Sequence, residues 1–264
     1  MADSPLVTYR GNCHCGAFKF TVKLPELKTV YACDCSLCSR NAYLWARPEL
    51  KAHFVVEKGE GALKDYVWGN RTMAHKFCPT CGTSVMCYKN DQPESETILI
   101  NVRALADIDL EALQVEMTHG GALEPLYRPP QHEVAAPTDP SVVAYTGNCH
   151  CGAVAYTLHS TPLSLVKSCN CSICSRDGVA WIYPQQKSLT VHSQDSLVEY
   201  TYGRFRTYHA FCGTCGVAVW ERFQADPPRT DIGLNVRTMN GLDWSTLTVE
   251  MLDRKDLPPL YKRF

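Results

Sequence analysis

The sequence predicts a mainly β protein made of two small, bent β-sheet domains in tandem. Three observations support this fold class: one cysteine pattern occurs twice, short apolar segments alternate as in strands, and a proline-rich stretch lies halfway along the chain. The chain has 264 residues, of which 45% are hydrophobic, and this suits two domains that each bury a modest core.

A pattern of seven cysteines occurs in each half of the chain, so only Cys87 of the 15 cysteines lies outside the repeat. Cys13 and Cys149 are 136 residues apart, whereas Cys78 and Cys212 are 134 apart, which makes Glu221 the counterpart of Cys87. A period of about 135 residues is far longer than the roughly 20 to 50 residues of solenoid repeats. The duplicated unit is therefore a whole domain.

The domain boundaries follow from this repeat. The first domain is predicted over residues 5–128 and the second over residues 141–264. Residues 129–140 contain four prolines and no apolar period, which is typical of an extended, semi-rigid linker. Because a linker keeps two like domains at high effective concentration, we expect a pseudo-symmetric dimer within one chain.

Strand patterns dominate both domains. The segments rich in β-forming residues are 17–22 and 53–56 in the first half, and 153–158 and 197–202 in the second. Helical periods are short, at residues 105–113 and 242–247. Short strands bounded by glycine and proline favour a highly bent β fold in which bound metal supplements a thin core.

In each half, the first cysteine pair and the last Cys-x-x-Cys pair are the best set for a structural zinc site. Such sites use four ligands in a tetrahedron, and Cys-x-x-Cys pairs commonly supply them. Gly82 follows the second ligand of Cys-Pro-Thr-Cys and can adopt a positive φ there. Zinc binding by small domains contributes on the order of 10 kcal/mol, so these sites are predicted to be required for folding. The sets are Cys13, Cys15, Cys78 and Cys81, and Cys149, Cys151, Cys212 and Cys215.

The other three cysteines of each half follow the pattern Cys-x-Cys-x-x-Cys. Three protein ligands with one open position are the mark of a catalytic zinc ion. Because the spacing is compact, the three sulfurs can converge on one face of a cleft. The division into four and three is inferred from spacing, and a division with a fourth ligand other than cysteine remains open. The sets are Cys33, Cys35 and Cys38, and Cys169, Cys171 and Cys174.

The order of these motifs resembles the family of glutathione-dependent formaldehyde-activating enzymes and centromere protein V. In both halves Gly-x-Cys-x-Cys-Gly is followed by Cys-x-Cys-Ser-x-Cys and then by Phe-Cys-x-x-Cys-Gly. The resemblance implies a bent β fold of the Mss4-like type, with one zinc ion held by four cysteines and a second held by three in the active site. It also implies two zinc ions per domain and carbon–sulfur lyase chemistry, with glutathione as substrate or co-substrate.

Arg40 and Arg176 are further candidate catalytic residues. Each lies two residues beyond the last cysteine of a three-thiol set. An arginine there can bind a carboxylate of glutathione, or it can offset the negative charge of a zinc ion with three thiolates. The alternative for both is a surface arginine in a turn.

Histidines occupy two pairs of matched positions near the cysteines. His75 and His209 can act as general acid or base near neutral pH, but a strand histidine that donates to a backbone carbonyl is the preferred interpretation. His14 and His150 lie between two ligands of a four-thiol set, where the side chain points away from the metal. A supporting or exposed role is expected for them.

Three other residues are interpreted as packing residues. Trp45 and Trp181 lie seven residues after the last cysteine of each three-thiol set. They can line a cleft, but a core aromatic is the preferred interpretation. Cys87 is expected to be a half-buried hydrophobic side chain.

The leading functional hypothesis is a zinc-dependent carbon–sulfur lyase acting on a glutathione adduct or conjugate, with S-hydroxymethylglutathione as one candidate. A zinc ion with an open position lowers the pKa of a bound thiol and stabilises its thiolate. One alternative is a noncatalytic zinc-stabilised binding module, as the centromere branch of the family suggests. Another is a thiol-based metal store or redox protein.

Charge and hydropathy limit the classes of binding partner that are expected. The net charge is −1 with both signs interspersed, which does not favour a nucleic-acid partner. The sequence has no apolar run near the roughly 18 residues of a membrane span, and residues 1–5 lack a signal pattern. We therefore expect a cytoplasmic protein whose partner is a small-molecule thiol adduct, with neither nucleic acid nor membrane bound.

Overall fold

The computed structural model describes residues 5–92 and 95–261, which form two sheet-rich units. Among the described residues, the first unit comprises the chain up to Tyr127 together with Arg176–Gly178, and the second comprises Arg128–Ser175 and Val179–Tyr261. Each unit contains one three-stranded and one seven-stranded sheet. The predicted mainly β fold with two sheet-rich halves is confirmed.

Ten strands and one short α-helix make up the described part of the first unit. They are β1 (Leu6–Asn12), β2 (Lys19–Pro25), β3 (Thr29–Cys33), α1 (Ser36–Asn41), β4 (Trp45–Ala46), β5 (Phe54–Lys58), β6 (Lys64–Val67), β7 (Met73–Phe77), β8 (Ser84–Lys89), β9 (Ile98–Asn101) and β10 (Gln114–Thr118). The smaller sheet has the order β1-β2-β5, and the larger has the order β10-β3-β4-β9-β8-β7-β6. Strand β10 runs parallel to β3, and the other pairs are antiparallel.

The second unit repeats this order within its described residues. Its elements are β11 (Val143–Asn148), β12 (Val154–Ser160), β13 (Leu165–Cys169), α2 (Ser172–Asp177), β14 (Ala180–Ile182), β15 (Leu189–Gln194), β16 (Leu197–Thr201), β17 (Thr207–Cys212), β18 (Ala218–Phe223), β19 (Gly233–Asn235) and β20 (Thr248–Leu252). The smaller sheet has the order β11-β12-β15, and the larger has the order β16-β17-β18-β19-β14-β13-β20. The two units therefore share one topology.

Single turns of 3₁₀ helix connect several strands. They are Lys51–His53, Val102–Ala104, Leu110–Ala112 and Gly120–Ala122 in the first unit, and Gln186–Ser188, Val236–Thr238 and Trp244–Thr246 in the second. Across the residues that the structure describes, no helix is both long and apolar enough to cross a membrane.

The strands form because alternate side chains enter the core. In β2 the buried residues Phe20, Val22 and Leu24 alternate with more exposed residues, which is the period of a pleated strand with one face on the core. In β12 residues 154–158 are all buried, including Tyr156 and Leu158 at the matched positions. Burial of these rows holds the smaller sheet of each unit in place.

Helix α1 is short because the chain turns sharply after it. Cys35 is its N-cap residue, and Ala42 is its C-cap residue, which has a left-handed conformation with φ of 46°. The Ala42 backbone N–H donates to the carbonyls of Cys38 and Ser39. This single helical turn places Cys35 and Cys38 three residues apart, so their side chains lie on one face.

Candidate metal centres

Four cysteine sulfurs from connections of both sheets converge in the first unit. Cys13 and Cys15 follow β1, and Cys78 and Cys81 lie in the turn between β7 and β8. The four Sγ atoms lie within 4.8 Å of one another, and Cys15 Sγ is 3.6 Å from both Cys13 Sγ and Cys78 Sγ. Three of the four side chains are buried, so the sulfurs are largely shielded from water.

The second unit builds the same cluster. Cys149 and Cys151 follow β11, Cys212 ends β17, and Cys215 precedes β18. Their Sγ atoms also lie within 4.8 Å of one another, and Cys151 Sγ is 3.6 Å from both Cys149 Sγ and Cys212 Sγ.

The sulfur separations fit a zinc ion. A tetrahedral ion with Zn–S bonds of about 2.3 Å separates its sulfurs by about 3.8 Å. A disulfide would require sulfurs about 2.05 Å apart, and all 15 cysteines, each within the described residues, are free. Each four-thiol set can therefore hold zinc.

Glycines with positive φ and backbone N–H donors adjoin the cysteines of the four-thiol sets. Gly82 and Gly216 have φ values of 77° and 76°, as predicted for Gly82. Their N–H groups donate to the carbonyl oxygens of Cys78 and Cys212 at 2.9 and 2.8 Å. The Phe18 N–H donates to Cys13 Sγ at 3.2 Å. The Phe18 N–H therefore stabilises the negative charge of a Cys13 thiolate.

A three-thiol cluster lies beside α1 in the first unit. Cys33 ends β3, Cys35 caps α1, and Cys38 lies within it. The three Sγ atoms lie within 4.8 Å of one another. Hydrogen bonds from Cys35 and Cys38 hold the pKa of Cys33 well below its ordinary value, while hydrogen bonds with Cys33 and Cys35, together with burial, raise the pKa of Cys38. Hydrogen bonds among the three sulfurs therefore stabilise a thiolate within the cluster.

The second unit contains the matching three-thiol cluster. Cys169, Cys171 and Cys174 also have their Sγ atoms within 4.8 Å of one another. Hydrogen bonds from Cys169 and Cys174 lower the pKa of Cys171, whereas hydrogen bonds with the other two thiols and burial raise the pKa of Cys174. The indole N–H of Trp181 donates to Cys174 Sγ at 3.4 Å.

Aromatic rings surround His75 near the three-thiol set of the first unit. The centres of the Tyr43 and Trp45 rings lie 5.5 and 5.9 Å from that of His75, and Tyr43 is stacked on it. Across the sheet, His75 is paired with Cys87. His75 Nδ1 is buried and has no hydrogen-bond partner among the described residues. The expected hydrogen bond to a backbone carbonyl is therefore not made by this nitrogen.

A carboxylate takes the place of Cys87 in the second unit. His209 is paired with Glu221 across β17 and β18, and His209 Nδ1 is 3.4 Å from Glu221 Oε2. The Tyr183 hydroxyl donates to Glu221 Oε1 at 3.2 Å. A sulfur of Cys174, a ring nitrogen of His209 and a carboxylate oxygen of Glu221 lie within 4.8 Å of one another. A mixed donor group therefore adjoins this three-thiol set.

Burial sets the charges of this pair. It raises the pKa of Glu221 to about 7 and lowers the pKa of His209 to about 4. At neutral pH the imidazole is neutral, so the contact between the two side chains is not an ion pair. Burial likewise lowers the pKa of His75 to about 4.

The predicted arginines occupy matched positions. Arg40 lies in the last turn of α1, where its Nη1 donates to the Ser36 carbonyl at 3.2 Å. Its guanidinium carbon lies 4.8 Å from the centre of the Tyr127 ring. Arg176 lies in the last turn of α2. The alternative of a surface arginine is wrong for Arg40, which is buried.

The remaining candidates are all buried, and His14, His150 and Cys87 are more buried than the sequence indicated. His14 and His150 are 2% and 3% exposed, which excludes an exposed role. Trp45 and Trp181 are buried, as expected of core aromatics. Cys87 is fully buried instead of half-buried, and burial raises the pKa of its thiol well above the ordinary value.

Sequence reasoning did not identify two residues of the second site, Glu221 and Tyr183. A signal for both was present. Glu221 stands where the repeat would place the odd cysteine, Cys87, and Tyr183 stands at the position that Arg47 occupies in the first half. Residues that break an otherwise faithful repeat mark the places where the two sites differ.

The fold and these clusters define a protein with two tandem β domains whose cysteines can hold zinc. The sequence model of the glutathione-dependent formaldehyde-activating enzyme family matches residues 8–118 and 144–246. The chain belongs to this family, with one match in each half. A Rhodobacter sphaeroides protein of known crystal structure is 30% identical to this chain in the matched region, and the two structures superpose with a TM-score of 0.36. That match covers 40% of this chain and 99% of the other.

Proposed function

We propose that the protein is a zinc-dependent carbon–sulfur lyase that acts on a glutathione adduct or conjugate at its three-thiol sets. The supporting observation is the convergence of three cysteine sulfurs in each unit, in a chain that belongs to a glutathione-dependent enzyme family. Three protein ligands leave one position for a substrate sulfur. When bound there, zinc supplies a positive charge that stabilises a thiolate at neutral pH.

In the lyase direction the carbon–sulfur bond breaks and its electron pair stays with sulfur. Where the same carbon carries a hydroxyl, as in S-hydroxymethylglutathione, the hydroxyl loses its proton while the carbonyl forms, and the released thiolate takes up a proton. The products are a free thiol and an aldehyde. The reaction needs neither oxidant nor reductant, and glutathione is the co-substrate of the reverse direction.

We propose that Arg40 and Arg176 bind a carboxylate of the glutathione moiety. A guanidinium presents a planar fork of donors that matches a carboxylate. In the first unit the Tyr127 ring, 4.8 Å from the Arg40 guanidinium carbon, limits the orientations of that fork. These arginines orient the substrate and take no part in bond cleavage.

The buried aromatic side chains beside the thiols keep water from this region. Tyr43 and Trp45 do so in the first unit, where their ring centres lie 4.4 Å apart. Trp181 is buried in the second unit and holds Cys174 through its indole N–H. A dry wall beside the thiolates strengthens every electrostatic interaction with them.

Turnover of glutathione adducts by single-site variants tests this proposal. Cys35→Ser and Cys171→Ser should each retain the fold and abolish turnover, at least 100-fold, in the half they affect. Equal partial losses would show two working centres, and complete loss from one variant alone would show one catalytic half. Cys87→Ser, outside both sets, is the matched control. If the zinc-loaded protein cleaves none of a panel of adducts, the proposal is wrong and a binding module replaces it.

A further inference from the structure

The mixed donor group of the second unit has the composition of a metal site. Cys174 lies in α2, His209 in β17 and Glu221 in β18, so three separate elements bring the donors together. One ligand atom from each lies within 4.8 Å of the other two, and all three residues form a buried group. Thiolate, imidazole and carboxylate are the three protein ligand types that zinc accepts.

The spacing of His209 and Glu221 fits two ligands of one ion better than a hydrogen bond. His209 Nδ1 and Glu221 Oε2 are 3.4 Å apart, whereas hydrogen bonds of this kind are about 2.7 to 3.2 Å long. Two donors at about 2.0 to 2.1 Å from a tetrahedral zinc ion are about 3.3 Å apart. The observed distance is therefore that of neighbouring ligands.

The carboxylate is held from its far side. The Tyr183 hydroxyl donates to Glu221 Oε1 at 3.2 Å, which leaves Oε2 directed at His209. The indole of Trp181 donates in the same way to Cys174 Sγ. Metal ligands are commonly oriented by such supporting hydrogen bonds. Two of the three donors thus have the supports that a metal site requires.

The sheet makes room for the glutamate. Gly233 lies opposite Glu221 across β18 and β19, and a Cβ atom there would lie 2.5 Å from Glu221 Cγ. At the matched place in the first unit, Cys87 faces Leu99. The second unit thus pairs the large Glu221 with glycine, whereas the first unit pairs the smaller Cys87 with leucine.

We propose that Cys174, His209 and Glu221 bind a divalent cation of the zinc class, whose sulfur ligand is shared with the three-thiol set. The second unit then has one more metal position than the first, where Cys87 supplies no carboxylate. A shared thiolate donates less electron density to each of two cations. The two three-thiol centres would therefore differ in Lewis acidity, whether or not either performs lyase chemistry.

Metal content of matched variants tests this proposal. Each protein is saturated with Zn²⁺, freed of excess by gel filtration and analysed for metal per chain. Glu221→Gln should hold one equivalent fewer than the wild type, while Cys87→Ser at the matched position should hold as many as the wild type. Equal metal content in wild type and Glu221→Gln would overturn the proposal. A similar loss in Cys87→Ser would also overturn it, because the loss would then not depend on the carboxylate.

A second measurement needs no variant and therefore remains decisive if Glu221→Gln fails to fold. The cadmium-113 resonance of a bound ion moves upfield as sulfur ligands are replaced by nitrogen and oxygen. Wild-type protein loaded with ¹¹³Cd should give a resonance well upfield of the signals from the four-thiol and three-thiol sets. Absence of any such resonance at saturation would refute the mixed-donor site. Neither readout depends on turnover, so failure here and failure of the proposed lyase activity are distinguishable.

Discussion

In the first unit, β7 and β8 pair His75 with Cys87, whereas in the second, β17 and β18 pair His209 with Glu221. Each unit has the same set of seven matched cysteines and the same strand order. The side chains next to the three-thiol set thus differ although the cysteines and the strand order do not. This difference teaches that one fold can keep its cysteine ligands in place while a neighbouring side chain changes from a thiol to a carboxylate.

The cysteine ligands are conserved between the units and their neighbours are not, because the two kinds of position have different geometric tolerances. Zinc requires its sulfur ligands within a few tenths of an ångström of fixed positions. The neighbouring side chains need only fill space and satisfy their polar groups. Cys87 beside Leu99, and Glu221 beside Gly233, both meet that weaker condition.

A polar bridge below the three-thiol sets shows the same freedom. In the first unit, Asp34 Oδ2 and His119 Nδ1 are 2.9 Å apart. In the second, Asn170 Nδ2 donates to Asp253 Oδ1 at 2.7 Å. Both bridges tie the loop after the first thiol to the segment after the last strand of the unit. The chemistry of the two partners differs, but the connection is kept.

The largest expected effect is the loss of a four-thiol site. Cys13→Ser and Cys149→Ser should each release one zinc ion and unfold their own unit, because zinc binding by small domains contributes on the order of 10 kcal/mol. Metal analysis together with thermal unfolding measures both. Cys87→Ser should shift unfolding far less. Unequal effects of the two ligand variants would break the equivalence of the four-thiol sites.

An effect of intermediate size is expected from acid, which should destabilise the fold by protonating the buried histidines. The pKa of His75 is about 4 in the folded protein, below its ordinary 6.5, so the unfolded chain binds the extra proton first. The associated stability is complete above pH 6.5 and decreases by about 3 kcal/mol as the pH falls to about 4. His75→Gln should lack this decrease. Because acid also releases zinc from both proteins, the difference between their unfolding free energies is the quantity to measure.

His209 sharpens the comparison, since its pKa is also about 4. With a pKa of about 7, Glu221 is protonated in acid and offers an imidazolium no opposite charge. When no cation occupies the mixed donor group, His209→Gln should therefore match His75→Gln in its acid dependence. A markedly weaker acid dependence at His209 under that condition would show that Glu221 remains ionised beside it.

The smallest expected effect tests the exchange of side-chain volume. Gly233→Ala should destabilise the second unit by about 1 to 3 kcal/mol, because its Cβ would overlap Glu221. In a Glu221→Cys background, which restores the first-unit residue, the same change should cost much less. Urea unfolding of the four proteins of this double-mutant cycle measures the coupling. Additive effects would show that the two residues do not share this space.

The repeat, the family and the metal ligands were predictable from sequence because the cysteines occur in pairs and triplets at short spacing. Cysteine pairs at short spacing identified the repeat, the family and the sets of four and three thiols. Alternating apolar residues identified the mainly β class, since the pleat of a strand imposes a period of two residues. Positive φ at Gly82 was predictable because the Cys-x-x-Cys turn needs a residue without Cβ.

Tertiary structure alone decided what surrounds the thiols. Glu221 is 47 residues from Cys174 and 38 from Tyr183 in sequence, so no local pattern connects them. Strand pairing places Glu221 opposite both His209 and Gly233, and burial there determines the charge of its carboxyl group. Sequence spacing determined which sulfurs can share a metal ion. Only the register of the folded sheet determined which side chains lie behind them, because such contacts depend on which strands become neighbours.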